Sequence, residues 1–273
     1  MEETRNIPLD GGTEELQITR SSDIVTITLN RPEVMNAMTA GMFADFGKAC
    51  RAINEDISIR AVVVTGEGGN FCSGADVGSK RNEAIEASTT IPLRNLRRIK
   101  ESALALHDIQ HPVIAKVRGV AAGAGLNLAL GCDLIYASDN ARFSEVFARR
   151  GLSIDFGGSW LLPRRIGLHR AKELVFLAEV IDADEADRIG LVNRVVPDAE
   201  LDAYVEDIVE RTASGPPLSL SLSKALLNNG TTSSMSQALE AEGSAQASNF
   251  STEDVREAGL AWAEKRSAKF IGR

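Results

Sequence analysis

Residues 113–137 read VIAKV-RGVAAGAGLNLALGCD-LIYA. Val113 to Val117 and Leu134 to Ala137 are short apolar runs with strand character. Between them, Ala121 to Leu130 reads as a helical stretch that opens in glycine and alanine. A strand, a helix and a second strand in succession need a crossover, which predicts parallel pairing and an α/β fold.

The same alternation extends towards the N-terminus. Leu16 to Thr19 and Ile24 to Leu29 (IVTITL) are rich in β-branched residues, and the second ends at the turn signal Asn30-Arg31-Pro32. Met42, Phe43, Phe46, Ala49, Cys50 and Ile53 recur at helical spacing behind Thr39, a residue type that caps helices. Ala61 to Thr65 (AVVVT), bounded by Gly66, reads as a buried strand, and residues 93–110 as a helix carrying Arg94, Arg97, Arg98 and Lys100. From Ala199 onward only helices are predicted, over 199–213, 217–229, 235–248 and 252–269. Ser-Gly-Pro-Pro at 214–217 and Gly-Thr-Thr-Ser-Ser at 230–234 divide them. The expected organisation is an α/β core over residues 1–198 followed by a helical region over 199–273.

Composition narrows the partners. The chain has 273 residues, 44% hydrophobic and 25% charged, and its 30 Lys and Arg against 38 Asp and Glu leave a net charge of −8. That balance argues against nucleic acid or an anionic membrane as the main partner, because both reward positive charge. Cys50, Cys72 and Cys132 are odd in number and contain no C-x-x-C, so reduced thiols and a cytosolic setting are expected. The acidic start Met1-Glu2-Glu3-Thr4 lacks an apolar core, and no apolar run approaches the roughly 18 residues of a membrane span.

Several familiar motifs fail. Gly123-Ala124-Gly125 is followed by Leu128 where a dinucleotide fingerprint needs glycine, and no phosphate-loop or nucleophile-elbow pattern occurs. His107, His111 and His169 lack metal-ligand spacing and read as structural or surface groups; no metal and no separate cofactor are expected. Two glycine-rich segments remain, each following a strand: Gly68 to Val77, and Arg118 to Asn127. Small residues at such junctions let a ligand approach free backbone N–H groups, and two of those could bind an oxyanion.

Together the segments resemble the crotonase, or enoyl-CoA hydratase/isomerase, superfamily. The resemblance runs through Leu29-Asn30-Arg31-Pro32 with Asn36-Ala37-Met38, Phe71 to Val77, Gly119 to Asn127 and Cys132 to Ala137. It continues through Ala141-Arg142-Phe143, Gly157-Gly158-Ser159, Leu162-Pro163-Arg164, Ala186-Gly190-Leu191-Val192 and Glu264-Lys265-Arg266 with Phe270. It implies a spiral of ββα units with a helical C-terminal region, assembled as a homotrimer or dimer of trimers. The substrate it implies is an acyl-CoA thioester, whose coenzyme A belongs to the substrate. By motif position the oxyanion donors fall on the amides of Ala75 and Ala124, within loops that also supply Gly74, Asp76 and Gly123.

The departures from the family pattern are informative. The two hydratase glutamates fall on Asn127 and Phe147, neither of which can accept a proton. Glu145, two residues from Phe147, is expected to be a solvated charge. Asp155 matches the position of a catalytic aspartate in dienoyl-CoA isomerases, ring-epoxide isomerases and 4-chlorobenzoyl-CoA dehalogenase. Phe147, Phe156 and Trp160 would partly desolvate it and raise its pKa; the alternative is that it caps a helix starting at Phe156. The resemblance places Val34, Met35 and Ala37 at the coenzyme A moiety, Lys265 near its phosphates and Trp262 facing the acyl pocket. The reading is an enoyl-CoA isomerase with Asp155 as acid/base. A hydratase and a non-catalytic acyl-CoA binder are its alternatives.

Overall fold

The computed structural model describes residues 11–76 and 90–273, and for residues 90–93 the backbone alone. Met1 to Thr4 and Val77 lie outside the described residues. A six-stranded sheet is built from β1 (Leu16–Ser21), β2 (Ile24–Leu29), β3 (Ala61–Gly66), β4 (Val113–Val117), β6 (Leu134–Ser138) and β9 (Arg194–Val196), in that spatial order. β1 and β2 form an antiparallel hairpin, and every later neighbour is parallel. A smaller sheet joins β5 (Val120–Ala122), β7 (Arg142–Ser144) and β8 (Ile181–Asp182).

The period-two alternation of the strands separates two cores. Val62 and Val64, Val113, Ala115 and Val117, and Ile135 and Ala137 face the main core, which includes Phe43 and Phe46 of α1 (Ala40–Glu55), Leu106 of α2 (Thr90–His107) and Leu126 and Leu130 of α3 (Ala124–Gly131). Ala61, Val63, Ile114 and Tyr136 point the other way, onto Leu201, Val205, Val209 and Ala213 of α7 (Leu201–Ala213). Those four residues recur every fourth position and form one apolar stripe. Because helices cover both faces, the central strands read as unbroken apolar runs.

Ahead of α7 in the chain come α4 (Gly158–Ile166), α5 (Leu168–Leu177) and α6 (Ala183–Arg188). α8 (Pro217–Gly230), α9 (Met235–Phe250) and α10 (Glu253–Glu264) complete the chain. Thr39 caps α1 as its residue type suggests, its Oγ1 accepting from the Met42 amide at 3.1 Å. Three boundaries differ from expectation. The stretch 121–130 is a short strand, a turn at Gly123 and then a helix from Ala124, because Val120 to Ala122 pair with Arg142 to Ser144. α2 spans Thr90–His107 and not 93–110. α10 ends at Glu264, where Lys265 adopts a left-handed φ of 55°, and the tail turns back so that the Ile271 and Gly272 amides donate to the Asp254 carboxylate. No helix among the described residues is long and apolar enough to cross a membrane.

One buried side chain ties the β2–α1 connection to the loop after β3. Asn36 is fully buried; its Nδ2 donates to the carbonyls of Glu67 and Asn70 at 2.8 and 2.7 Å, and its Oδ1 accepts from the Arg31 amide at 2.9 Å. Asn36→Ala strands these groups, and each buried unsatisfied group typically costs about 1–3 kcal/mol. The variant should therefore unfold at lower urea concentration with an unchanged m-value, by at least the lower end of that range.

Candidate functional site

The first loop is held by backbone. A 3-10 turn at Pro32–Val34 is followed by Met35 and Asn36 at φ 51° and 57°, which reverses the chain. The Ser73 amide then donates to the Met35 carbonyl at 2.9 Å, the Met38 amide to Gly74 at 2.8 Å and the Asp76 amide to Met38 at 2.9 Å. Met38 and Ala75 thus form a parallel bridge whose bonds come from the residues flanking Ala75. The Ala75 amide itself points the other way and takes part in none of them. Arg31 braces the loop, donating to the Ala37 carbonyl at 2.6 Å and pairing with Asp76 at 3.0 Å.

The second loop is laid against the first. The Cys72 amide donates to Val120 at 2.9 Å and the Ala122 amide to Cys72 at 2.9 Å. Gly123 follows at φ 55°, ψ −127°, a conformation open to glycine, and its amide donates to Ser144 at 2.8 Å. α3 starts at the next residue. The Ala124 N–H, in the first helical turn, has no partner within the helix. A methyl group on Gly74 would lie 3.5 Å from the Ala124 nitrogen, so the residue preceding Ala75 abuts the second alanine amide.

One turn further along α3 the polar groups gather. Asn127 is fully buried; its Nδ2 donates to the Asp155 carbonyl at 3.0 Å and stands 3.5 Å from Glu145 Oε2. A methyl on Gly158 would overlap the Asn127 carboxamide at 2.2 Å, so the turn before α4 presses directly on it. Glu145 is not a solvated charge. It is 0% exposed, drawn inside because β7 ends at Ser144 against the second loop while Phe147, just beyond, packs beside Gly123. Asp155 caps no helix either: Gly157 holds the cap position of α4, and the Asp155 backbone carbonyl, not its carboxylate, accepts from Gly158 at 2.9 Å. Asn127 Oδ1, Glu145 Oε1 and Asp155 Oδ1 are all buried without a hydrogen-bond partner among the described residues.

Burial governs the ionisation of both acids. Desolvation pushes Glu145 from an ordinary 4.5 up to about 8; the Asn127 amide lowers it and the Asp155 charge raises it further. Desolvation alone lifts Asp155 from 3.8 to about 6. The one-sided coupling follows from the order of titration. Glu145 is still a neutral acid when Asp155 ionises, whereas Asp155 already carries charge when Glu145 does.

Aromatic side chains close part of the surroundings. Phe147 and Phe156 are buried, and Phe156, itself at φ 49°, sets its ring centroid 5.8 Å from that of Phe43. Trp160 is half-exposed, covered by the Arg164 guanidinium at 3.9 Å and meeting His107 edge-on at 5.5 Å. Among the described residues, no group of three His, Cys, Asp or Glu side chains could hold a metal ion.

The enoyl-CoA hydratase/isomerase family model matches residues 19–273. The chain belongs to that family. It is 36% identical over 263 residues to the crotonyl-CoA hydratase of Syntrophomonas wolfei, covering 95% of this chain and 99% of the relative. To the 1,2-epoxyphenylacetyl-CoA isomerase of Escherichia coli it is 33% identical over 250 residues, covering 92% and 95%. Its fold superposes on the crystal structure of an enoyl-CoA hydratase from Bacillus anthracis with a TM-score of 0.90 at 30% identity, covering 95% of this chain and all of the other. The fold is therefore the crotonase fold, and the protein is an enzyme of the hydratase/isomerase family.

Within this crotonase fold the motif residues fall in two groups. Ala75, Ala124, Asn127, Phe147 and Asp155 come from the first loop, the start of α3 and the turns after β7 and before α4, with Gly74 and Gly123 at the seam. Val34 and Met35 are partly exposed on the rim and Ala37 lies beneath them. Trp262, in contrast, is 87% exposed, so within its own chain it lines no pocket, and Lys265 is exposed beyond the end of α10. Two residues escaped the motif reading. Arg31 sits inside a quoted motif, but its partner Asp76 is 45 residues away. Glu145 gave no local signal, because its burial arises only when α3, β7 and the Asp155 turn converge.

Folding stability carries the signature of the two raised acids. The folded chain keeps their protons at pH values where the unfolded chain has released them. They therefore withdraw stability as pH rises above about 4, Asp155 until about 6 and Glu145 until about 8. Compared with wild type, Glu145→Gln should unfold at similar urea concentrations near pH 4.5. It should then gain an advantage that grows up to pH 8 and levels off beyond it.

Proposed function

We propose that this chain is an enoyl-CoA isomerase in which Asp155 moves a proton between carbons of an acyl-CoA thioester. The amides of Ala75 and Ala124 would hold the thioester oxygen as it gains enolate charge, an arrangement that stabilises charge where it develops. The observation that carries the reading is the half-buried Asp155 carboxylate, whose Oδ1 is enclosed and has no hydrogen-bond partner among the described residues, on a turn whose backbone accepts from Asn127, one of the two residues at the positions matching the family's glutamates. A carboxylate lifted to about 6 is ionised at neutral pH yet basic enough to accept a proton from carbon next to a polarised carbonyl. One relative bears an isomerase name, the 1,2-epoxyphenylacetyl-CoA isomerase. Val34, Met35, Ala37 and Asp76 would line the coenzyme A approach. A homotrimer or dimer of trimers is part of the same reading, in keeping with exposed apolar side chains such as Leu227, Phe250 and Trp262 on the C-terminal helices. Such an assembly would let Trp262 and Lys265 of one subunit serve the site of another.

Hydration is the second reading, favoured by relatives named as hydratases and by the presence of a second buried carboxylate, Glu145. Incubation with short 2-enoyl- and 3-enoyl-CoA thioesters separates the two, by double-bond migration in one case and water addition in the other.

Asp155→Asn keeps the shape and removes the base. General acid–base catalysis is typically worth about 10²–10⁴-fold, and kcat for double-bond migration should fall by that order with little change in acyl-CoA affinity. In the wild type the rate should climb with pH through about 6, and this limb should vanish in the variant. Turnover should also persist in EDTA without added metal or nicotinamide, checked by the same assay before and after chelation.

A further inference from the structure

Glu145 is a costly residue to bury and has no part in the reaction as just described. It is fully enclosed, and its Oε1 meets no hydrogen-bond partner among the described residues. Among the described residues no cation is paired with it, and Arg149 and Arg150, on the following 3-10 turn, are exposed. The groups that act on it are two: the Asn127 amide from α3 and the Asp155 carboxylate from the turn before α4. Asn127 in turn holds the Asp155 backbone, so one carboxamide connects both acids. The segment carrying Glu145 is also fixed to the second loop, through the Gly123 amide on Ser144 and through Val146, which a methyl on Gly123 would meet at 3.3 Å. Glu145 therefore lies beside the place where enolate charge would form.

We infer that Glu145 is a positioning residue for this reaction: a buried acid beside Asn127 that keeps its own proton while Asp155 is ionised and so holds the site at a single negative charge. This inference rests on Asp155 being the base. When Asp155 accepts a proton from the substrate, the negative charge passes to the enolate and the total within the site is unchanged. If Glu145 has lost its own proton, the site carries two negative charges before and after the step, and the enolate has to form beside a like charge, which low dielectric makes unfavourable. The proton on Glu145 is not consumed. It stays on Glu145 throughout, and Asp155 returns the abstracted proton to the product carbon.

The pH–rate profile of wild type and Glu145→Gln, with Glu145→Met as a second neutral variant, tests the inference. The wild-type rate should rise through the Asp155 ionisation and then fall above about pH 8, roughly tenfold per pH unit. In Glu145→Gln the plateau should extend to pH 9.5 with the rising limb intact. A falling limb retained in both variants would overturn the inference. Isotope-edited infrared spectroscopy of the folded, substrate-free protein gives a readout that does not depend on turnover. A protonated glutamic acid band should be present at pH 7, be lost above pH 9 and be absent from Glu145→Gln. In Asp155→Asn the same band should disappear at lower pH, because the neighbouring charge is gone. A Glu145 titration that does not move in Asp155→Asn would overturn the inference by showing that the two acids do not act on each other, whatever the turnover of that variant. Full turnover by Asp155→Asn would instead refute Asp155 as base, and the two failures are told apart by these separate readouts.

Discussion

The site depends on the way Cys72 is held between Val120 and Ala122. Its amide donates to one and its carbonyl accepts from the other, which turns two glycine-rich loops, some fifty residues apart in sequence, into neighbouring strands for the length of one residue. The bridge between Met38 and Ala75 then adds a third segment in the same parallel sense. Two consequences follow from backbone geometry alone. Ala75 is left with its amide turned away from its bridge partner, and Gly74 is pressed against the start of α3. Neither depends on a side chain, and this explains why alanine can occupy both amide positions. Side chains act one layer out: Asn36 joins the first loop to the β3 connection, and the Arg31–Asp76 pair closes it from the rim.

The fold was legible because its strands are buried on both faces. Ile24–Leu29 and Val113–Val117 match their apolar runs to the residue, and helix starts at Thr39, Pro217 and Met235 fall where capping and proline signals place them. The errors fall where tertiary pairing overrides local preference. Val120 to Ala122 would extend a helix by composition, yet they become a strand because Arg142 to Ser144 supplies the other edge. β8, of two residues, and β9, of three, are too short to show any periodicity. At the site, Asp155 and the alanine amides could be located by motif position. Glu145 could not, since its local sequence, Ser-Glu-Val-Phe-Ala-Arg-Arg, reads as a surface turn with basic residues. Its burial is a property of three elements that meet, and no window of sequence contains all three.

Those three elements also explain why a neutral amide stands at position 127. The side chain must face two acceptors at once, the Asp155 carbonyl and the Glu145 carboxylate, while its other edge lies against Gly158. A carboxylate at the same position would have no proton to offer either acceptor and would bring a third negative charge into contact with two acids whose ionisation is already suppressed by burial. Like charges at such distances cannot all ionise, so one would stay protonated at neutral pH and which one would depend on small displacements. Asparagine removes that ambiguity. Its amide, 3.5 Å away, favours the ionised form of Glu145, yet desolvation outweighs it and leaves Asp155 as the group that ionises first. The exchange of a carboxylate for an amide at 127 and the enclosure of a carboxylate at 145 are thus one electrostatic arrangement. The site keeps two acids; the heavier desolvation of Glu145 sets the order in which they lose their protons, and the neutral residue between them adds no third charge.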